Sequence, residues 1–262
     1  MKTNKGKASI FFAYCLTFCT FAFLYIPIVV LLLFSFNTKR FPAPWEQFTL
    51  KWYKELFNSE ELWSSFFTSL TVALITTALC LVMTILLLFF KSIGGRIKKA
   101  IPLFYGNLVI PESLFAISLL SYFTFFKIPL GFMTLIIAHT VLGLGFAIPI
   151  LYTRYMQLDK RLIEASLSLG ASSLQTFFKI ILPFLYPAMI ATGLLIFILS
   201  FDDFILSYFT AGTNVQTLSL FLLSMLKTGI SPIVNALSAF VLFISSLLVM
   251  VFFFPKIRSK VI

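Results

Sequence analysis

Long stretches of uncharged apolar residues constrain this chain more than any other feature. The first of them, Ile10–Phe36, contains no charged side chain. About 20 apolar residues of helix cross the hydrocarbon core of a bilayer, whereas the strands of a membrane barrel alternate in polarity and are about ten residues long. Six stretches have the helical character, and they lie at Ile10–Phe36, Phe66–Phe90, Ile101–Phe126, Leu130–Tyr152, Phe184–Phe209 and Ile233–Pro255. The sequence therefore predicts an all-α membrane protein with six transmembrane helices.

The overall composition excludes several other classes of protein. Hydrophobic residues make up 60% of the chain and charged residues 11%, whereas a soluble domain has about 45–50% apolar and about 25% charged residues. A soluble enzyme and a nucleic-acid-binding module are therefore excluded. The net charge of +11 needs an explanation other than a polyanionic partner.

The distribution of basic residues supplies that explanation. If the N-terminus lies inside the cell, 14 of the 20 Lys and Arg residues fall on the inner side. These are Lys2, Lys5, Lys7, Lys91, Arg96, Lys98, Lys99, Arg154, Lys160, Arg161, Lys179, Lys256, Arg258 and Lys260. The outer side carries Lys39, Arg40, Lys51, Lys54, Lys127 and Lys227. Because short cytoplasmic loops carry an excess of Lys and Arg, both termini are predicted to be cytoplasmic.

The connection after the first span is rich in aromatic residues. Pro42 and Pro44 predict an extended turn, and Thr49–Phe57 has the pattern of a short amphipathic helix. Four aromatic side chains in or beside this connection are Trp45, Trp52, Tyr53 and Trp63. They fit an aromatic belt at the membrane surface or, as the functional alternative, a docking or gating surface that faces outward.

A second long connection, from about residue 153 to 183, carries clear helix signals. Asp159 is predicted to cap a helix that runs to Leu169, and Gly170 to adopt a left-handed conformation after it. Ser172 and Gln175 have the spacing of a capping box for a second helix, which Pro183 is expected to close. This helix–turn–helix suits insertion into a groove on another protein, and the alternative is an amphipathic helix lying on lipid.

The spacing within this connection resembles a known signature. EASLSLGASSLQTFFKIILP is similar to the EAA motif of ABC importer permeases, with Ser166 in place of the second alanine. The resemblance implies a coupling helix from Glu164 to Gly170 that seats in an ATPase. The predicted coupling residues are Glu164, Ala165, Ser166, Gly170, Ala171, Ile180, Leu182 and Pro183.

Further segments extend this resemblance over most of the chain. FTLKWYKELF, SFDDFILSYFTAG and KTGISPIVNALS are similar to the C-type permease subunits of spermidine/putrescine ABC transporters. The resemblance implies the type I importer permease fold. Its expected parts are an N-terminal helix and outer loop at 1–65, a permease core at 66–255 with the coupling loop at 153–183, and a cytoplasmic tail at 256–262.

The same resemblance implies an assembly in the bacterial cytoplasmic (inner) membrane. Expected partners are a homologous B-type permease subunit, two ATP-binding subunits, an external polyamine-binding protein and the lipid bilayer, with no nucleic acid. The chain contains no G-x-x-x-x-G-K-[ST] phosphate-binding loop. ATP and Mg are therefore expected on the partner ATPase, and no enzymatic activity, catalytic residue, cofactor or metal site is expected in this chain.

Ionisable residues within the predicted spans are the candidates for the substrate pathway, because such residues are costly in a membrane and usually functional. They are Glu112, His139, Asp202 and Asp203. Three are acids, as a path for a polycation requires, and Trp45 and Tyr208 are aromatic candidates for cation–π contacts. Neighbouring helical residues point about 100° apart, so one aspartate is expected to face the pathway and the other a helix end or a partner subunit.

Simpler structural explanations exist for two of these residues. Glu112 follows Pro111 and fits a first-turn helix acid stabilised by the helix dipole, while His139 fits a neutral packing histidine. The sequence as a whole predicts a permease subunit of an ATP-driven polyamine importer. The alternatives are an importer for another small cation, such as thiamine or a ferric ion, and a secondary transporter or channel.

Overall fold

The computed structural model describes residues 3–39, 44–97, 99–227 and 232–258, with side chains from Phe12 to Leu247 within these ranges. Its only extended pairing in these ranges is an isolated antiparallel bridge between Asn37 and Phe48. The helices are α1 (Thr3–Phe34), α2 (Lys51–Asn58), α3 (Glu60–Ser92), α4 (Ile101–Val109), α5 (Glu112–Phe125), α6 (Phe132–Met156), α7 (Lys160–Ser168), α8 (Ser173–Thr176), α9 (Leu182–Asp202), α10 (Ile205–Thr210), α11 (Leu218–Lys227) and α12 (Pro232–Arg258). A π-helical turn, Phe177–Ile181, joins α8 to α9.

Some predicted features fall outside the described residues. They are the basic residues Lys2, Arg40, Lys98 and Lys260, the turn residue Pro42, and residues 228–231 of the KTGISPIVNALS segment. The division of the chain at residues 65 and 255 stays a prediction.

Four continuous helical segments in the described chain are long and apolar enough to cross a bilayer. They are Phe12–Phe34, Glu60–Ser92, Phe132–Met156 and Ser173–Asp202. The pair α4 and α5 qualifies only as a unit, because it bends by 114° at the break between the two helices. The protein is therefore a multi-pass membrane protein, whereas the count of six spans and the cytoplasmic termini remain predictions.

The predicted span at Ile101–Phe126 is divided by Pro111. Proline disfavours helical backbone in the residue before it, and Ile110 is extended, with φ −72° and ψ 128°. The break places Glu112 at the start of a new helix. The predicted span at Phe184–Phe209 is also divided, although no proline follows the break. Asp203 has extended backbone, with ψ 130°, and ends α9.

The expectation that Pro183 closes the second helix of the long connection is wrong. The chain stays helical from Ser173 to Asp202 and passes through Pro183. A proline within a helix removes one hydrogen bond and its ring clashes with the carbonyl four residues earlier. The π-helical turn before Pro183, in which the Leu182 N–H bonds to the Phe177 carbonyl, widens the helix at this point.

The described chain forms two compact units, Met1–Glu60 with Leu222–Ile262 and Glu61–Phe221. In the first unit, α12 packs against both α1 and α2. The Trp52 indole N–H donates to the Asn37 carbonyl at 2.7 Å, and the Tyr53 hydroxyl lies 2.8 Å from the Ser35 hydroxyl. Of the predicted belt residues in this unit, Trp52 is thus buried, and Trp45 keeps 49% of its surface exposed.

In the second unit, α6 is the central helix, and it packs against both α4 and α9. Its glycines permit close approach of other helices. A Cβ atom at Gly143 would lie 2.7 Å from the Cys80 sulfur of α3 and 3.2 Å from Ile196 of α9. The bundle therefore depends on the absence of a side chain at this position.

We expect Gly143→Ala to destabilise the protein although alanine is the better helix former. Forcing an extra methyl into a packed core typically costs about 1–3 kcal/mol, which outweighs the gain in helix propensity. Thermal unfolding of the purified protein in detergent measures the effect. Gly106→Ala is the matched control, because no atom lies within 4 Å of its added Cβ. Equal melting temperatures for the two variants would contradict the close packing.

Candidate functional site

Three of the four predicted intramembrane ionisable residues come together in the second unit. The His139 Nε2 atom lies 3.4 Å from the Asp203 Oδ2 atom, and both side chains are almost fully buried. The carboxyl group of Glu112 interacts electrostatically with that of Asp203. Residues from α5, α6 and the end of α9 therefore meet at the two places where the predicted spans are broken.

Asp203 is held by backbone hydrogen bonds at the start of α10. Its carboxylate accepts the N–H of Leu206 at 3.2 Å and the N–H of Ser207 at 2.8 Å. The first N–H groups of a helix have no partner within the helix, and a side-chain oxygen at this position satisfies them. One of the two adjacent aspartates was expected to face a helix end or a partner subunit. Asp203 is that residue, and it lies at a helix end.

His139 connects the two sides of the same break. Its Nδ1 atom lies 2.7 Å from the Ser200 hydroxyl of α9, and its Nε2 atom lies 3.4 Å from the Ser207 hydroxyl of α10. The histidine is buried and hydrogen-bonded, as expected of a packing residue. Within the ranges that the structure describes, no group of three or more His, Cys, Asp or Glu side chains is arranged to hold a metal ion.

Asp202 has a different environment from its neighbour. It is exposed, and only its backbone carbonyl is engaged, accepting the Ser219 hydroxyl at 3.3 Å. No described Lys, Arg or His lies within ion-pair distance of its carboxylate. A charged group at the end of an apolar helix is costly when it faces lipid, so an aqueous path or a partner chain is the favourable environment for it.

The aromatic candidates lie in different units. Tyr208 of α10 is 54% exposed, and its ring centroid lies 5.7 Å from that of Phe204. Trp45 belongs to the first unit and is also exposed. Its neighbour Glu46 is paired with Lys39 at 3.0 Å, and this hydrogen-bonded pair lowers the pKa of Glu46.

The long connection folds as its helix signals predict, apart from Pro183. Asp159 accepts the Arg161 N–H at 2.9 Å and so caps α7. Gly170 is left-handed, with φ +87°. Ser172 and Gln175 form the reciprocal hydrogen bonds of a capping box at α8. The result is two helices joined by a tight turn.

A contact between these two helices was not foreseen from the sequence. The Ser166 hydroxyl lies 2.9 Å from the hydroxyl of Thr176, which is itself buried. Ser166 is the one departure from the EAA pattern, and it adds a polar link between α7 and α8. The sequence shows a hydroxyl side chain on each helix, ten positions apart. No sequence rule pairs two such residues across a turn, so the contact could not be predicted.

Helix α7 and the turn that follows it present apolar side chains. Leu162 is 52% exposed and Leu169 is 88% exposed. Of the predicted coupling residues, Glu164, Ala165, Gly170 and Pro183 are exposed, and Ser166, Ala171, Ile180 and Leu182 are half-buried.

Comparison with known proteins identifies the family. Residues 93–259 match the sequence profile described as "Binding-protein-dependent transport system inner membrane component". The chain belongs to this family. It is a permease subunit of an ABC importer, and as such it is not itself an enzyme.

Two curated relatives cover most of this permease. The spermidine/putrescine transport system permease protein PotC of Haemophilus influenzae is 35% identical over 236 residues, which are 88% of this chain and 91% of the relative. The putrescine transport system permease protein PotI of Escherichia coli K12 is 32% identical over 232 residues, which are 85% of this chain and 82% of the relative.

A solved structure shows the same fold. A chain of a bacterial ABC transporter involved in the import of the acidic polysaccharide alginate superimposes with a TM-score of 0.66 at 16% identity. The match covers 97% of this permease and 96% of that chain. The predicted fold class, an all-α importer permease, is thereby confirmed.

We expect the two adjacent aspartates to differ in their effect on stability. Asp203→Ala removes a helix cap and leaves buried N–H groups without partners, which should lower the free energy of unfolding by about 1–3 kcal/mol. Asp202→Ala, at an exposed position, should change it by less than about 0.5 kcal/mol. Thermal unfolding of both variants in detergent compares them directly, and a larger loss for Asp202→Ala would refute the assignment.

Proposed function

We propose that this permease imports polyamines, spermidine or putrescine, across the bacterial cytoplasmic membrane. The observation that carries the proposal is the set of acids within apolar spans, Glu112, Asp202 and Asp203, which no Lys or Arg in those spans neutralises. An apolar pathway needs such carboxylates to exchange the hydration of an ammonium group for direct contacts. The names of the two curated relatives support the same class of substrate.

The environments of the acids suggest separate tasks along the pathway. Asp202, which is exposed and unpaired with described residues, offers its carboxylate to a passing ammonium group. Asp203 and His139 hold the break between α9 and α10, and the exposed residues Asp202 and Tyr208 lie on either side of it. Glu112 contributes a second carboxyl group beside Asp203. Tyr208 adds a cation–π face, and Trp45 is proposed as a further aromatic contact on the outer side.

Energy for import is proposed to come from partner subunits. Helix α7 and the turn at Gly170 would seat in a groove of a cytoplasmic ATP-binding subunit, two copies of which bind ATP and Mg. A homologous B-type permease would complete the pathway, and an external binding protein would deliver the polyamine. Closure of the ATPase pair would then move the spans between two states by rigid-body coupling. This arrangement requires both termini of the chain in the cytoplasm.

Uptake measurements test the substrate assignment. In proteoliposomes that contain the complete transporter and ATP, Asp202→Asn should raise the KM for spermidine or putrescine about tenfold, because a charge-assisted contact contributes about 1.5–3 kcal/mol. Asp202→Glu is the matched control, since it keeps the charge. Unchanged uptake in Asp202→Asn would remove Asp202 from the pathway, and preferred uptake of thiamine or ferric ion would replace the polyamine assignment.

A backbone substitution tests the coupling surface. Gly170→Val places a β-branched side chain at φ +87°, which is strained by about 1–3 kcal/mol and should distort the turn. We expect stimulation of ATP hydrolysis by the loaded binding protein to fall about tenfold. Gly94→Val is the matched control, because Gly94 also has a positive φ, +97°, and open space around it. If both variants lose stimulation equally, the turn at Gly170 has no special part in coupling.

A further inference from the structure

A cavity lies at the ends of two spanning helices, next to α7. Its volume is about 370 Å³, and its polar lining includes Lys91, Lys160, Tyr152, Tyr155 and Glu164. Lys91 belongs to the last turn of α3, and both tyrosines belong to the last turns of α6. The cavity is therefore built by three helices of the second unit, α3, α6 and α7.

This cavity is located at a boundary of the bilayer. The helices α3 and α6 are both long and apolar enough to span it, so the residues of their last turns lie where hydrocarbon meets water. Tyrosine is enriched at that depth, because its ring is apolar and its hydroxyl is polar. The placement depends only on where the two spans end, and not on which side of the membrane they face.

The cavity carries an excess of positive charge. Its lining contains two ammonium groups, from Lys91 and Lys160, and one carboxylate, from Glu164. Among the residues that the structure describes, no carboxylate oxygen lies within 4.0 Å of either ammonium nitrogen. Both cations are thus available to a ligand, and the phenolic hydroxyls of the two tyrosines can act as further donors.

Apolar side chains form the remaining lining. Leu158 is buried, Ile163 is half-buried, and Met156 is exposed at the end of α6. A free phosphate or an acidic side chain would match the lysines but not these aliphatic groups. A molecule with an anionic head and an apolar continuation matches both parts of the lining, and the bilayer surface supplies such molecules. Basic pockets between spanning helices bind anionic head groups in this way.

We propose that this cavity binds the head group of an anionic phospholipid. Lys91 and Lys160 contact the phosphate oxygens, and the hydroxyls of Tyr152 and Tyr155 donate to the same group. Met156, Leu158 and Ile163 contact the glycerol and the first methylene groups. Because Lys160 and Ile163 belong to α7 and Lys91 to α3, the bound lipid links the short surface helix to a spanning helix.

Binding of single lipids to the purified full-length permease tests this site. Native mass spectrometry gives the apparent affinity for phosphatidylglycerol and for phosphatidylcholine of the same chain length. The wild-type protein should prefer phosphatidylglycerol. Lys91→Gln and Lys160→Gln should each lower that affinity about fivefold, as expected for one basic residue near an anionic lipid. Lys91→Arg and Lys160→Arg should retain it.

Lys99→Gln is the matched control, because Lys99 is an exposed basic residue after α3 that does not line the cavity. Its affinity for phosphatidylglycerol should change less than twofold. Equal losses in all three glutamine variants, or no preference for the anionic lipid in the wild-type protein, would overturn the proposal. So would equally tight binding of glycerol 3-phosphate, which would indicate a site for free phosphate esters. Loss of assembly with the ATP-binding subunit at unchanged lipid affinity would assign the cavity to a protein contact instead.

Discussion

The hydrogen bonds of Asp203 hold the centre of this permease together. A helix that starts within a bilayer leaves backbone N–H groups that water cannot reach, and each such group is costly. Here α10 starts immediately after α9 ends, and the carboxylate of Asp203 accepts two of the N–H groups in question. His139 then ties the same carboxylate to the central helix α6. The side chain of Asp203 thus both accepts the N–H groups at the start of α10 and contacts His139 of α6.

The sequence predicted the features that depend on residues close together in the chain, namely the apolar helices and the helix caps. Each of the four continuous apolar helices overlaps one of the predicted spans, and the caps at Asp159, Gly170 and Ser172 follow from neighbours in the chain. The helix start at Glu112 followed from Pro111, and the structure confirms it. The break at Asp203 was not predicted, because an apolar helix is favourable in lipid whether it is straight or bent. Its position depends on which helices pack together, and hydropathy contains no information about that packing.

Pro183 shows how a motif can mark a backbone geometry as well as a docking surface. The second half of the EAA pattern, from Ile180 to Pro183, lies at and just after the π-helical turn that joins α8 to α9. A proline removes one hydrogen bond of a helix, and the wider turn lies directly before Pro183, where the helix continues from the exposed connection into the span. Helices α8 and α9 are therefore continuous, and the hydroxyls of Ser166 and Thr176 link α7 to α8.

Two adjacent aspartates thus have different environments although their chemistry is the same. The end of α9 turns Asp203 into the protein, where backbone N–H groups and His139 stabilise its charge. The same turn leaves Asp202 outside, with its backbone engaged and its carboxylate open. A passing cation would have to displace N–H donors to reach Asp203, but only water to reach Asp202. In the proposed pathway, a carboxylate fixed by the fold next to one left open would allow a cation to bind without loosening the helix that presents it.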